Sequence, residues 1–136
     1  MSIRWKTPVY AQGEVVEMTP LDFLSKVPSP CDEKHTALED LNREGCWSEG
    51  SVSYISQRIE RGEELEPPML DYTRMFRGFP THEGRHTAFV MYRRGVEKVP
   101  VLVFGKEETL ATRRWRLRAE AEKLVREIRE EKAKHG

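Results

Sequence analysis

Gly84-Arg85-His86 are three adjacent residues whose types suit anion chemistry. They stand just ahead of Ala88-Phe89-Val90-Met91-Tyr92, five residues that read as buried. A surface helix alternates polar and apolar residues with a 3.6-residue period. This run is apolar nearly all round, so the pattern predicts a helix over 84–94 sunk in a core, with a polar, cationic first turn. A helix N-terminus offers unpaired N–H groups and partial positive charge, which makes it a ready anion site. Gly84 lets backbone approach the anion closely. Arg85 can grip phosphate with two parallel hydrogen bonds, and His86 can donate to oxygen or serve as general acid or base. The bland alternative is a surface turn with an exposed Arg-His pair.

Carboxylates surround this motif in sequence. Glu83 reads either as a partner of the helix dipole or as a catalyst. Glu63, Glu64, Glu66 and Asp71 could supply a general base or a Mg2+ ligand, since hard cations take carboxylate oxygens. For Glu66 a solvated acidic turn is the better reading. Cys31, His35 and Cys46 match no strong zinc spacing and lack a fourth ligand.

The elements that must position these residues follow from local signals. Ile3 to Tyr10 and Glu14 to Met18 read as strands. Thr19 suits an N-cap and Pro20 the first helical position, and Pro28 and Pro30 stop that helix. A helix capped by Asp32, with Ala37, Leu38 and Leu41 as a weak stripe, runs to Gly45. A second, cleaner helix is capped by Ser51 and buries Val52, Ile55 and Ile59. Pro67-Pro68 force an extended entry into a strand over 69–75. Phe76 to Phe79 continue that strand or begin a return. Gly95 suits a left-handed cap, and "KVPVLVF" a central strand. These readings give an α/β (α+β) fold, a small mixed sheet packed with helices.

From Leu110 onward proline is absent and glycine does not recur before the terminal Gly136. Leu110, Leu117, Ala121, Leu124 and Ile128 form an a/d seam. A helix of about 25 residues would be about 38 Å long, long enough to pair with a second copy or lie on a partner. Arg113, Arg114, Arg116 and Arg118 crowd its first half, as a solvated face or a nucleic-acid contact. Two regions are expected, 1–105 and 106–136.

Charge and cysteine content bound the function. The 23 basic and 23 acidic residues cancel, which excludes coating nucleic acid by bulk charge. A signal-peptide pattern is lacking, and no apolar run approaches the ~18 residues of a membrane span. With two cysteines, the expectation is a cytoplasmic protein, off the membrane, with reduced thiols.

The segments "ISQRIERGEELEPPMLDY" and "EGRHTAFVMYRRGVEKVPVLVF" together resemble the ParB/sulfiredoxin superfamily. Four pieces carry the resemblance in order: a helix ending in a glycine turn over 58–64, the proline-led strand Pro67-Pro68-Met69-Leu70, Gly84-Arg85-His86 opening a buried helix, and Gly95 before Val99-Pro100-Val101-Leu102-Val103. The match spans about residues 15–104. It implies a small fold that binds a nucleotide or nucleic-acid phosphate, with Pro67, Pro68, Gly84, Arg85, His86 and Thr87 at the phosphate and Glu64, Glu83 and His86 as catalytic candidates. ATP or CTP is the expected nucleotide, Mg2+ the cation that the carboxylates would take, and DNA or a nucleotide the expected partner.

The departures are informative. Sulfiredoxins carry a reactive cysteine after the motif glycine, where this chain has Arg85, so sulfinic-acid reduction is not expected. Thr87 stands where many members have a second basic residue. The helix-turn-helix domain of partition proteins is replaced by one long helix. The leading expectation is a ParB-like DNA-acting protein, a nuclease or other phosphoryl-chemistry enzyme. A non-catalytic nucleotide- or DNA-binding switch, dimerised through the C-terminal seam, ranks second. A nucleotide-dependent small-molecule kinase ranks third.

Overall fold

Thr19-Pro20 starts the first helix as its chemistry requires. The Thr19 hydroxyl accepts from the Asp22 N–H at 3.0 Å, and proline occupies the first helical position of α1, Pro20–Leu24. This is seen in a computed structural model that describes residues 2–8, 12–107 and 110–135, without the side chains of 110–113 and 116. The chain is mixed α/β of the α+β kind and divides into two compact units, Met1–Lys106 and Glu107–Gly136.

The first unit is built on a four-stranded sheet. Its strands are β2 (Glu14–Met18), β4 (Met69–Phe76), β5 (Phe79–Glu83) and β6 (Val99–Phe104), in the order β2-β6-β4-β5. β4 and β5 form an antiparallel hairpin, β4 and β6 run parallel, and β2 closes the other edge antiparallel to β6. Helix α3 (Arg85–Arg93) makes the crossover into central β6. A smaller parallel pair joins β1 (Arg4–Trp5) to β3 (Glu64–Leu65). The first strand is thus far shorter than expected, and its expected end at Tyr10 lies outside the described residues.

Helix α3 is apolar nearly all round because core flanks it on more than one side. Ala88 and Phe89 join a cluster with Phe23, Leu24, Trp47, Leu70 and Val101. Val90 and Met91 join another with Ile55, Ile59, Leu65 and Val99. Successive helical residues turn by about 100°, so four neighbours can be buried only where packing surrounds the helix. Tyr92 departs from the expectation: it is 37 % exposed.

Between α1 and α2 (Glu49–Glu60) the expected helix from Asp32 is absent, and turns replace it. Asp32 Oδ1 accepts from the Lys34 N–H two residues on, a local alternative to helical bonding. Ser29 N–H donates to His35 O, and Ala37 N–H to Val27 O, so the segment folds back on residues 27–29. Cys31 and Cys46 form a disulfide across it. This corrects the expectation of reduced thiols and removes both sulfurs as free thiolate ligands. The N-cap of α2 is Ser48 rather than Ser51: its hydroxyl accepts from the Ser51 N–H at 3.2 Å.

The second unit is α4, Leu110–His135. Leu117, Leu124, Val125 and Ile128 are each 47 to 57 % exposed, and Ala121 is exposed with them. Among the described residues, no helix is long and apolar enough to cross a membrane.

Two glycines bracket α3 at positive φ, Gly84 at 85° and Gly95 at 72°. A Cβ on Gly84 would lie 2.8 Å from Pro68 Cα, whereas one on Gly95 meets nothing within 4 Å. Gly95→Ala should cost only the left-handed backbone conformation, about 1–2 kcal/mol. Gly84→Ala should add the ~1–3 kcal/mol typical of overpacking. Urea unfolding of both variants checks this, and equal losses would show that Pro68 moves aside freely.

Candidate functional site

The motif borders a cleft of about 300 Å3. One wall is a face of α2. Ser51, Tyr54, Ile55 and Arg58 are spaced three, one and three apart, which brings them to one side of a helix. Leu65, Glu66 and Pro67 contribute from the extended entry to β4, and Glu83, Gly84, His86 and Thr87 from the β5–α3 junction. The first turns of two helices therefore meet at the same cleft. The N-terminus of α3 has no side-chain cap, and Gly84 supplies the left-handed residue that brings it against Pro68.

Arg58 is the guanidinium of the cleft. It is tied down by Glu63 (Nε to Oε2, 3.3 Å) and by the Glu64 carbonyl (Nη2 to O, 2.6 Å), with its charge 5.8 Å from the Tyr54 ring centre. Arg85 is placed elsewhere. Its Nη1 donates to Pro28 O at 2.9 Å, and its buried Nε finds no partner among the described residues. Burial lowers its pKa.

His86 joins the two helix starts. Its Nε2 accepts from the backbone N–H of Ser48, the α2 cap, at 3.2 Å. A nitrogen that accepts carries no proton, so the neutral ring holds its proton on Nδ1. Burial first, and the charge of Arg85 second, push its pKa below the ordinary range. In this arrangement His86 is a hydrogen-bond donor whose basic nitrogen is already used. Trp47 locks the ring further. It meets His86 edge-on at 5.3 Å and stacks on Phe89 at 4.2 Å, and its Nε1 donates to Asp40 O. His82, on β5, also has a lowered pKa, through burial and then Arg85.

Of the residues expected at the site, Pro67, Glu83, Gly84, His86 and Thr87 line the cleft. Pro68 is buried beneath Gly84. The Glu64 carboxylate pairs with Arg4 at 3.6 Å, and Asp71 accepts from Thr73. Glu66, read from sequence as a solvated turn, is exposed and also borders the cleft. No three His, Cys, Asp or Glu side chains among the described residues group to hold a metal ion. Arg114 and Arg118 are exposed on α4; the side chains of Arg113 and Arg116 lie outside the described residues. Sequence reasoning missed Ser51, Tyr54 and Arg58, although their helical spacing was available as a signal. It also missed Trp47 and Ser48, whose contacts with His86 span 38 or more residues and leave no local trace.

A scan of family models and searches of curated proteins and of solved structures find no match to this chain.

The lowered pKa values of His82 and His86 set a pH dependence. Below the ordinary imidazole value of about 6.5 the unfolded chain binds protons that the folded chain refuses, so stability rises with pH there. The penalty is absent above pH ~6.5, grows as pH falls, and is complete below the folded-state values. Urea unfolding between pH 7.5 and 5 should therefore show stability falling as the pH drops through about 6.5. His86→Gln should flatten the slope. A flat profile in the parent would show that neither imidazole is perturbed.

Proposed function

We propose that the cleft binds the phosphate of a nucleotide or of DNA, and that the protein is a ParB-like DNA-acting protein of phosphoryl chemistry. The observation that carries this reading is the start of α3, without a side-chain cap, opening on a cleft walled by the flank of α2. Unpaired N–H groups and the dipole of α3 favour an anion there. Arg58 adds a guanidinium from the wall, already paired with Glu63, and Thr87 and Ser51 add hydroxyls. The cleft also holds two carboxylates, Glu66 and Glu83, which repel phosphate unless a cation lies between. Mg2+ is commonly held by one or two carboxylates together with substrate phosphates, so Glu66 and Glu83 are the residues that would hold it. The metal would supply charge neutralisation at the phosphate. In the nuclease reading Glu83 either helps hold that cation or, with the cation on Glu66 and the phosphate, serves as base, and His86 orients by donating from Nδ1.

DNA as the partner is supported by Arg114 and Arg118, exposed on α4 within the Arg113–Arg118 cluster. The cytoplasmic reading belongs with this proposal, and there the Cys31–Cys46 bond would be redox-responsive rather than permanent. One observation favours the alternative, a non-catalytic nucleotide switch: the Nε2 of His86 is committed to Ser48, leaving the cleft without a free imidazole base.

Calorimetric titration with inorganic pyrophosphate, ATP and CTP, with and without Mg2+, tests the reading. Arg58→Gln should weaken binding by about 1.5–3 kcal/mol, the range for charge-assisted hydrogen bonds. Parent and variant binding alike would remove Arg58 from the site, and no binding of any phosphate by the parent would end the proposal.

The switch reading also needs a dimer, and the occupant proposed for the exposed α4 seam is a second copy of the same helix. Antiparallel pairing sets Ala121 against Leu124 and Leu117 against Ile128, and brings Arg114 opposite Glu131; parallel pairing in register would oppose arginine to arginine. Few heptads make the association modest and concentration-dependent. Leu124→Glu should shift sedimentation at micromolar concentration from dimer to monomer. A parent that is monomeric throughout that range would contradict the pairing.

A further inference from the structure

We propose that the Cys31–Cys46 bond is a redox modification site, a target of thiol–disulfide exchange whose state controls the order of the first turn of α3 and so the affinity of the cleft. The functional consequence rests on the phosphate reading above; the structural coupling does not.

Three observations carry it. First, the two half-cystines differ in exposure: Cys31 is an exposed residue and Cys46 a buried one. Second, the segment between them is weakly held by apolar packing. It contains no helix or strand, and its buried apolar side chains are Ala37 and Leu41. It depends instead on turn hydrogen bonds and on Asp40. The Asp40 carboxyl is held below its usual range by the Ser29 hydroxyl, and then by His35 and Arg43. Third, the chain on both sides of the bond grips neighbouring residues of α3. Upstream, Pro28 O accepts from Arg85 Nη1 at 2.9 Å. Downstream, Trp47, the neighbour of Cys46, stacks on Phe89 and meets the edge of His86, and Ser48 donates to His86 Nε2. The bond thus ties together the two stretches that fix Arg85 and His86.

The asymmetry of access sets the chemistry. A thiolate of a dithiol reductant attacks the exposed Cys31 sulfur. The Cys31–Cys46 bond breaks, a mixed disulfide forms at Cys31, and Cys46 leaves as a thiolate that takes up a proton. The reductant's second thiolate attacks its own sulfur in the mixed disulfide and expels Cys31, which is protonated in turn. Two electrons and two protons pass to the protein, and the dithiol leaves as its disulfide. Reduction returns to a segment spanning 15 residues the chain freedom that closure had removed. Trp47 and Ser48 then lose their tether, and His86 loses the partner that joins α3 to α2.

The test uses the full chain in three states: oxidised, reduced with dithiothreitol, and re-oxidised, with thiols counted by alkylation and mass. Amide hydrogen exchange is followed at 46–48 and 85–88, together with binding of inorganic pyrophosphate. Reduction should accelerate exchange in both segments about tenfold or more, as for a local opening that leaves the sheet protected. Pyrophosphate binding should weaken by a similar factor, and re-oxidation should restore both. Cys31→Ser, at the exposed position, should reproduce the reduced profile without reagent. Faster exchange in a protein that binds pyrophosphate in neither state would uphold the coupling and overturn the phosphate reading. Unchanged exchange after confirmed reduction, equal pyrophosphate affinity in both states, or a Cys31→Ser protein with the oxidised profile would overturn the proposal. Loss of protection throughout β4 and β6 on reduction would overturn it too, by making the bond a plain staple of the fold.

Discussion

The hydrogen bond from the Ser48 backbone to His86 Nε2 is the constraint on which the site depends. It joins the cap of α2 to the first turn of α3 and fixes the imidazole tautomer. A half-buried ring that accepts here cannot also be protonated at that nitrogen. Its lowered pKa, caused chiefly by burial and then by Arg85, agrees with that arrangement. Trp47 makes the geometry rigid, because a stacked and an edge-on aromatic contact restrict the same ring from two directions. Without this junction the two helix starts would not be joined through the ring.

The body of α3 explains why such a junction can exist. A helix packed on several sides cannot shift or rotate without opening core, since interiors are close-packed. Its N-terminus is then held in place by Ala88, Phe89, Val90 and Met91 rather than by a capping side chain. Gly84 completes the arrangement: its left-handed backbone and missing Cβ let the turn rest directly on Pro68. The uncapped start of α3 therefore borders the cleft at a position set by the packing of the helix body.

Much of this was legible in the sequence where the signal is local. The proline-led strand, the buried helix, its bracketing glycines and the central "VPVLVF" strand all follow from period and punctuation, and so does Thr19-Pro20. The segment over 31–46 was misread because Ala37, Leu38 and Leu41 imitate a helical stripe. Competing side-chain bonds from Asp32, the fold-back on residues 27–29 and the disulfide decide otherwise, and two of these are non-local. Arg85 shows the same limit. Its residue type suited phosphate, but the Pro28 carbonyl, distant in sequence, captures the guanidinium. Arg58, unremarkable in its helix, takes the position facing the cleft because the α2 face that carries Ser51 and Tyr54 turns that way.

The most direct test is the protonation state of His86 itself. Long-range nitrogen–proton NMR correlation on the oxidised chain distinguishes the two neutral tautomers and follows the ring through its titration. The account predicts the proton on Nδ1, an Nε2 shift typical of an acceptor, and a pKa below the ordinary histidine value of about 6.5. A proton on Nε2, or titration at the ordinary value, would contradict it, because the two helix starts would then not be joined through that ring.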